Sequence, residues 1–380
     1  MLKQCLTIMY REIFYMWRDK GLRYILLLGT LLGLLLFVGT YNAQVIKDIP
    51  TAVVDLDHSA ASRDLIDKLT AAEYLNITTY PDSYQQAQQL IAQGRAMVAV
   101  VIPENFGRDV SLGRQTTIYT AIDGSNIVYA TNANTAILTV TRTVSAQAGV
   151  KRLLTSGIAH SQAEEAYLGV SQVEEPWFNP TQNYAYFLVL ALTLNIWQQC
   201  CTLLATTNVI GETGNRSWYQ FKSIGFSKAK LFISKSIVHI ITFMLLVMPV
   251  YLLCFTVLKM PLDQHLGTLL LFTLVFAISI HSIGTLVSSF ARNAVDATRF
   301  GMIIALPSFV LSGYTWPLEA MPHWIQWLAK LLPQTWFFQG FNLLAFKDPS
   351  WPSVAQHFAV LLLIAVICYS VATIFVWRRS

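Results

Sequence analysis

Apolar residues in this chain gather into runs long enough to cross a bilayer, interrupted by one long segment in which short apolar stretches alternate with polar ones. An α-helix needs about 20 mostly apolar residues to cross the hydrocarbon core. Runs that meet or nearly meet this length cover Leu22–Ala43, Tyr184–Thr206, Ser236–Leu258, Leu266–Phe290, Thr298–Tyr314 and Val354–Trp377. The first starts late and has no small-x-small cleavage pattern before Gln44, so it reads as a retained span, not a signal peptide. The fifth is the shortest and holds Pro307. Six spans put both termini on one side of the membrane.

Ahead of the first span, residues 1–21 repeat apolar side chains at Leu2, Leu6, Met9, Ile13 and Trp17, with Tyr10 and Phe14 widening the same face. This spacing predicts an amphipathic helix lying in the membrane interface; the bland alternative is a polar lead-in to the first span, residues 22–43. Between the first and second spans, residues 44–180 alternate in type. Strands are predicted at Pro50–Asp57, Tyr74–Tyr80, Ala96–Pro103 and Thr116–Asp123. Helices are predicted from His58 to Ala71, with Ser59 or Ser62 as cap, and from Ser83 to Gln93, closed by Gly94. A long helix is predicted from Ser125 to about Leu168, interrupted near Gly149 and Gly157. Strands alternating with helices argue a small α/β domain with a core of its own. The fold class is therefore a polytopic α-helical membrane protein with six transmembrane helices and an α/β domain between spans 1 and 2.

Charge orients it. The chain is 54% hydrophobic and 12% charged, where a soluble domain carries about 25% charged residues. Lys and Arg crowd the amino terminus, the loop after the second span, the turn at Arg292–Arg299 and the carboxyl terminus, while the opposite short loops hold Lys259, Lys330 and Lys347. Short basic segments stay in the cytoplasm, so both termini are expected there, in a plasma or bacterial inner membrane, with the α/β domain outside. The net charge of +5 then belongs to an inner surface facing anionic lipid. It calls for no nucleic-acid partner. Of the five cysteines none lies in the outer domain, and no Cys/His spacing predicts a metal site.

The stretch LSGYTWPLEAMPHWIQWLAKLLPQTWFFQG, residues 311–340, is too apolar for a solvent loop and too rich in proline for a span. From Glu319 onward, Met321, Trp324 or Ile325, Leu328 and Leu331 or Leu332 follow helical spacing. Pro317 and Pro322 can start helices, and Pro333 breaks them. Leu328 is expected on the packed face and Trp327 toward the interface. Backbone entering a membrane without crossing must satisfy its polar groups against protein or water, so two readings stand: a re-entrant gate, or an amphipathic loop resting on the membrane.

Polar residues within spans are functional candidates because burying them costs free energy. Asn195 and Gln199 lie one turn apart with Gln198 adjoining, and form either an interhelical hydrogen-bonding strip or part of a translocation path. His239 and His281 stand alone in sequence. Asp296 and Arg299, at i and i+3, read as a structural pair. The chain has no phosphate-binding G-x-x-x-x-G-K-[ST] loop and no H-E-x-x-H motif. Ser156 and His160 lack a carboxylate partner nearby, so no catalytic, cofactor or metal residue is assigned.

Three features carry a resemblance. IPTAVVDLDHSAASRDLIDKL and AQGRAMVAVVIPENFGRDVSLGRQTTIYTAIDGSN open and continue the outer domain; six spans enclose one cytoplasmic loop after the second; and residues 311–340 follow with their L-S-G and M-P-x-W elements. Together they resemble the type-2 ABC transporter permease family, in the branch with a large extracytoplasmic domain after the first span. The resemblance implies export driven by separate ATPase subunits that use Mg-ATP, a second permease copy or paralogue, and an accessory protein outside. It makes residues 208–235 the coupling loop within 181–380, with Glu212, Thr213, Arg216, Lys222 and Phe226 toward the ATPase. It also makes Pro317, Met321, Trp324, Leu328 and Pro333 the outer gate. Glu212 and Arg216 would pair at i, i+4. The loop departs from the family at Trp218–Gln220 and at Gly225, where proline is usual. The alternative is a membrane-anchored sensor or assembly factor whose outer domain binds a ligand.

Overall fold

The computed structural model describes residues 2–41, 46–160, 178–179, 183–214, 217–223, 227–260, 266–347 and 349–378. The chain forms two compact units: Val45–Glu175, and the remainder on either side of it.

The first unit is a four-stranded sheet in the order β2-β1-β3-β4, built from β1 (Ile49–Asp55), β2 (Leu75–Thr79), β3 (Val98–Ile102) and β4 (Tyr119–Ile122). β1 runs parallel to β2 and β3, and β4 closes the edge antiparallel to β3. β3 is buried along its whole length, which is why it reads as the unbroken apolar run VAVVI. The strand order sends the chain one way and then back across β1, so right-handed crossovers put successive helices on opposite faces. Leu65 and Leu69 of α3 (Ala60–Thr70) join Ile49, Val53 and Val100 on one face, together with α5 (Phe106–Leu112) and α6 (Ile127–Thr155). Ala87 of α4 (Tyr84–Ala92) packs on Ala52, Val54 and Ala99 on the other. Ser59 caps α3 by accepting from the amides of Ala61 and Ser62, and Ser83 caps α4. Gly94, at φ +69°, follows α4 in the left-handed region, which Gly occupies without strain.

Two local readings change here. α5 is too short for periodicity to reveal it, and α6 passes through Gly149 without interruption; its neighbours supply enough helical bonding to absorb one glycine.

Among the described residues, the second unit holds α1 (Leu2–Arg18) and six helices long and apolar enough to cross a membrane. These are α2 (Lys20–Thr40), α7 (Tyr184–Ala205) continued by α8 (Thr207–Gly214), α10 (Lys228–Thr256), α11 (Leu266–Phe290), α12 (Ala294–Leu311) and α15 (Trp351–Arg378). α9 (Ser217–Ser223) lies between α8 and α10. The second span thus reaches Glu212, beyond the Thr206 expected. The fifth starts earlier, at Ala294, because Asn293 caps it by accepting from the Asp296 amide. α11 is the centre, packed against α7, α10, α12 and α15. It approaches α7 closely at Gly284, where a Cβ would stand 2.3 Å from that of Ala205.

Residues 311–340 resolve into a short 3-10 turn (Leu318–Ala320), α13 (His323–Lys330) and α14 (Pro333–Phe346). At 1.5 Å per residue, the 14 residues of α14 extend about 21 Å, short of the roughly 30 Å core. α14 is nevertheless buried, its Phe337 stacked on Phe276 of α11 at 3.8 Å between centroids. This pairing of a buried half-length helix with a short surface helix answers why the stretch is so apolar. Pro333 is not a breaker here: it sits in the first turn of α14, where its missing N–H costs nothing.

Candidate functional site

α1 buries Ile8, Glu12 and Met16, a stripe that includes a carboxylate, and leaves Leu6, Tyr10, Ile13, Phe14 and Trp17 exposed. The apolar face read from the sequence therefore points away from the protein, as an interface-lying helix requires. The buried stripe packs along α10, where Ile8 meets Leu231.

That packing assembles a closed ionic cluster. Lys235 Nζ lies 2.9 Å from Glu212 Oε1 and 3.5 Å from Glu12 Oε2. Arg11 Nη2 also donates to Glu212 Oε1, and the Ser217 hydroxyl donates to Glu212 Oε2. One turn along α10 from Lys235, His239 Nε2 is 2.9 Å from Glu12 Oε1. Two carboxylates thus meet the basic side chains of Arg11 and Lys235, and Glu12, Glu212, Lys235 and His239 are all buried. A carboxylate can only accept, so His239 carries its proton on Nε2 and its Nδ1 accepts from His281 Nε2, 3.1 Å away. His281 Nδ1 in turn accepts from the Tyr369 hydroxyl at 2.8 Å. One directed chain of hydrogen bonds runs from α1 through α10 and α11 to α15.

Burial by itself would raise the Glu12 carboxyl. The His239 hydrogen bond, the Lys235 charge and the Arg11 guanidinium outweigh it and hold the group down at about 2. Buried pairs contribute little net stability when intact, but removing one member costs about 3–5 kcal/mol because it strands the other. The cluster ties α1 and the end of α8 to α10.

The expected coupling residues fare unevenly. Glu212 does not face outward: its carboxylate is taken by Arg11, Lys235 and Ser217. Thr213 lies in α8 and Lys222 in α9 by backbone only, and Arg216 and Phe226 fall outside the described residues. Glu12 and Lys235 were missed. Glu12 reads as the polar side of an amphipathic helix, and Lys235 as one more inner cation. The available signal was Lys235 and His239 at i, i+4 on one face of an otherwise apolar helix.

Of the polar strip, Gln198 is fully buried. Its Nε2 lies 3.1 Å from Asn195 Oδ1, 3.3 Å from the Ala305 carbonyl and 3.4 Å from Ser308 Oγ, and its Oε1 accepts from Gln334 Nε2 at 3.0 Å. It ties α7 to α12 and α14, which is the interhelical reading. Asn195 and Gln199 are half-buried, with Gln199 Nε2 3.2 Å from Asn195 Oδ1.

Among the gate residues, Pro317 precedes the 3-10 turn, Met321 is partly buried, and Trp324 is 70% exposed. Leu328 is 47% exposed, contrary to the packed position expected of it. Ala329 is the fully buried residue of α13, because the short helix turns its Ile325–Ala329 stripe inward. Trp327, 72% exposed, faces outward as expected.

Comparison with known proteins matches residues 20–374 to the ABC-2 family transporter protein model. In Escherichia coli (strain K12), the probable multidrug ABC transporter permease YbhR is 22% identical over 366 residues, 96% of either chain. The inner membrane transport permease YhhJ of the same strain is 24% identical over 334 residues, 85% of this chain and 83% of that one. The probable multidrug ABC transporter permease YbhS is 23% identical over 307 residues, 80% and 78%. With a family match spanning the bilayer helices and the α/β unit alike, the chain belongs to the ABC-2 family of transporter permeases.

Proposed function

We propose that the chain is the membrane subunit of an ATP-driven exporter. Two copies, or one copy and a paralogue, surround a path, and separate ABC ATPase subunits hydrolyse Mg-ATP on the cytoplasmic side. Both termini lie in the cytoplasm of the inner membrane, and the α/β unit lies outside, where it shapes the exit or receives an accessory protein. The charge asymmetry of the short loops supports this orientation.

The observation that carries the mechanism is the buried ionic cluster. Glu212 sits at the end of the second span, within the expected coupling loop, residues 208–235. It is bonded to α1 through Arg11 and to α10 through Lys235. A push on that loop is therefore delivered to α1 and α10 together. A driven shift requires contacts that differ between two states, and a buried, ion-paired cluster favours rigid movement of its members over sliding between them. Asn195 and Gln199 line the path, and α13 with α14 closes its outer end. The names of the bacterial relatives support a multidrug-type substrate.

The test is reconstitution with the cognate ATPase in proteoliposomes. Lys235→Met is expected to insert and to bind the ATPase, yet lower transport per ATP hydrolysed by at least about tenfold. Unchanged coupling would remove the cluster from the mechanism, and failure of any ABC ATPase to bind the native chain would remove the exporter reading.

A further inference from the structure

The α/β unit leaves part of its own core uncovered. α5 ends at Gly113, which takes the left-handed conformation at φ +64°, and the amides of Gly113 and Arg114 bond back to the Val110 and Asp109 carbonyls. The chain then leads into β4. Between α5, this loop and α6 lies a groove of about 420 Å³, within the roughly 300–1,000 Å³ range of small-molecule sites. Its floor is Phe106, Val110, Ile118 and Val144, all belonging to the apolar cluster beneath the sheet, and the last three are only half-buried. The α6 wall presents small residues at Ser145, Ala148 and Gly149, which leaves the space open.

The rim is cationic. Arg114 and Arg152 are exposed and both line the groove, and among the described residues no Asp or Glu does. The surrounding segment has the opposite balance, since residues 44–180 hold nine Lys and Arg against fourteen Asp and Glu. Arg152 is also held in place. Its Nη1 donates to the Gly113 carbonyl at 3.2 Å, and a Cβ on residue 113 would overlap that nitrogen. Glycine therefore serves twice here: it permits the positive φ and lets the guanidinium lie against the backbone. A guanidinium stays charged at any working pH and has N–H donors beyond the one this carbonyl takes. A fixed cation beside an apolar floor suits a ligand that has both parts. A cation would be repelled, and a simple inorganic anion would leave the floor in water.

We propose that this groove binds an amphipathic anion, its single charged head at Arg114 and Arg152 and its apolar body over Phe106, Val110 and Val144. The site lies wholly within the Val45–Glu175 unit and stands whether or not the chain exports.

The test uses the full chain in lipid nanodiscs with decane-1-sulfonate carrying a mid-chain diazirine. The matching alcohol and trimethylammonium compounds serve as uncharged and cationic controls. Adducts mapped to α5, the 113–118 loop and α6 should be about tenfold more abundant with the sulfonate than with either control. Raising the salt should narrow that advantage, because the arginines are exposed. Ala148→Trp should cut groove labelling at least tenfold by filling the space. Arg114→Gln combined with Arg152→Gln should bring the sulfonate down to the level of the alcohol. If that double variant does not fold, Arg114→Gln alone, on an exposed side chain, should still lose about threefold. Equal groove labelling by sulfonate and alcohol in the native chain, as passive partition onto an apolar surface would give, overturns the proposal. So does undiminished labelling of Ala148→Trp.

Discussion

Replacing Glu12 by Gln preserves the shape of the side chain and an oxygen that can accept from His239 Nε2, and removes only the charge. The remaining cluster then has Arg11 and Lys235 facing Glu212 alone. The carboxyl of Glu12 lies at about 2, against an ordinary value of 4.5. That lowering corresponds to about 3 kcal/mol at neutral pH, at the lower end of the cost of stranding one partner of a buried pair. The sign follows from the depressed value. The contribution is complete above about pH 4.5 and is lost as pH falls toward 2, so native protein should weaken across that interval while Glu12→Gln stays comparatively flat. Unfolding can be followed with a thiol-reactive dye, because Cys200, Cys201 and Cys254 are buried in the native state. At roughly 2–4 °C per kcal/mol, the midpoint at pH 7 should drop by about 6–12 °C. Adding Lys235→Met restores the charge balance, so the double variant should be more stable than the two single effects predict, by about 1–3 kcal/mol. An unchanged midpoint in Glu12→Gln would refute the reasoning, as would single effects that add to within about 0.5 kcal/mol.

Gly284→Val should separate α7 from α11, since even a Cβ would stand 2.3 Å from that of Ala205; a loss of at least about 1–3 kcal/mol in the same assay is expected. Gln198→Leu strands the Gln334 amide and should cost about 1–3 kcal/mol, whereas Gln199→Leu, on a half-buried side chain, should cost less than half as much. In α13, Ala329→Asp buries an unpaired carboxylate and should destabilise severely, while Trp327→Phe should leave the melting midpoint unchanged. In a cysteine-depleted background, Gln85→Cys should react with an impermeant maleimide applied to intact cells and Tyr219→Cys should not, both positions being exposed; labelling of Tyr219→Cys would reverse the proposed orientation.

Local periodicity was enough to reveal the six apolar spans, the amphipathic α1 and the alternation of the α/β unit, because each is a repeat within one continuous segment. Ser59 was legible as a cap candidate, beside Ser62, for the same reason: a cap and its amides lie within three residues. Residues 311–340 could be recognised as neither span nor loop from their prolines and tryptophans. Which stripe of α13 packs could not, since eight residues give two turns and Leu328 and Ala329 lie side by side on them. The ionic cluster lay beyond the sequence altogether. Glu12, Glu212 and Lys235 come from three segments, and each alone is an ordinary charge near a helix end. Only tertiary packing removes them from water together, and it is that removal that turns three unremarkable charges into partners.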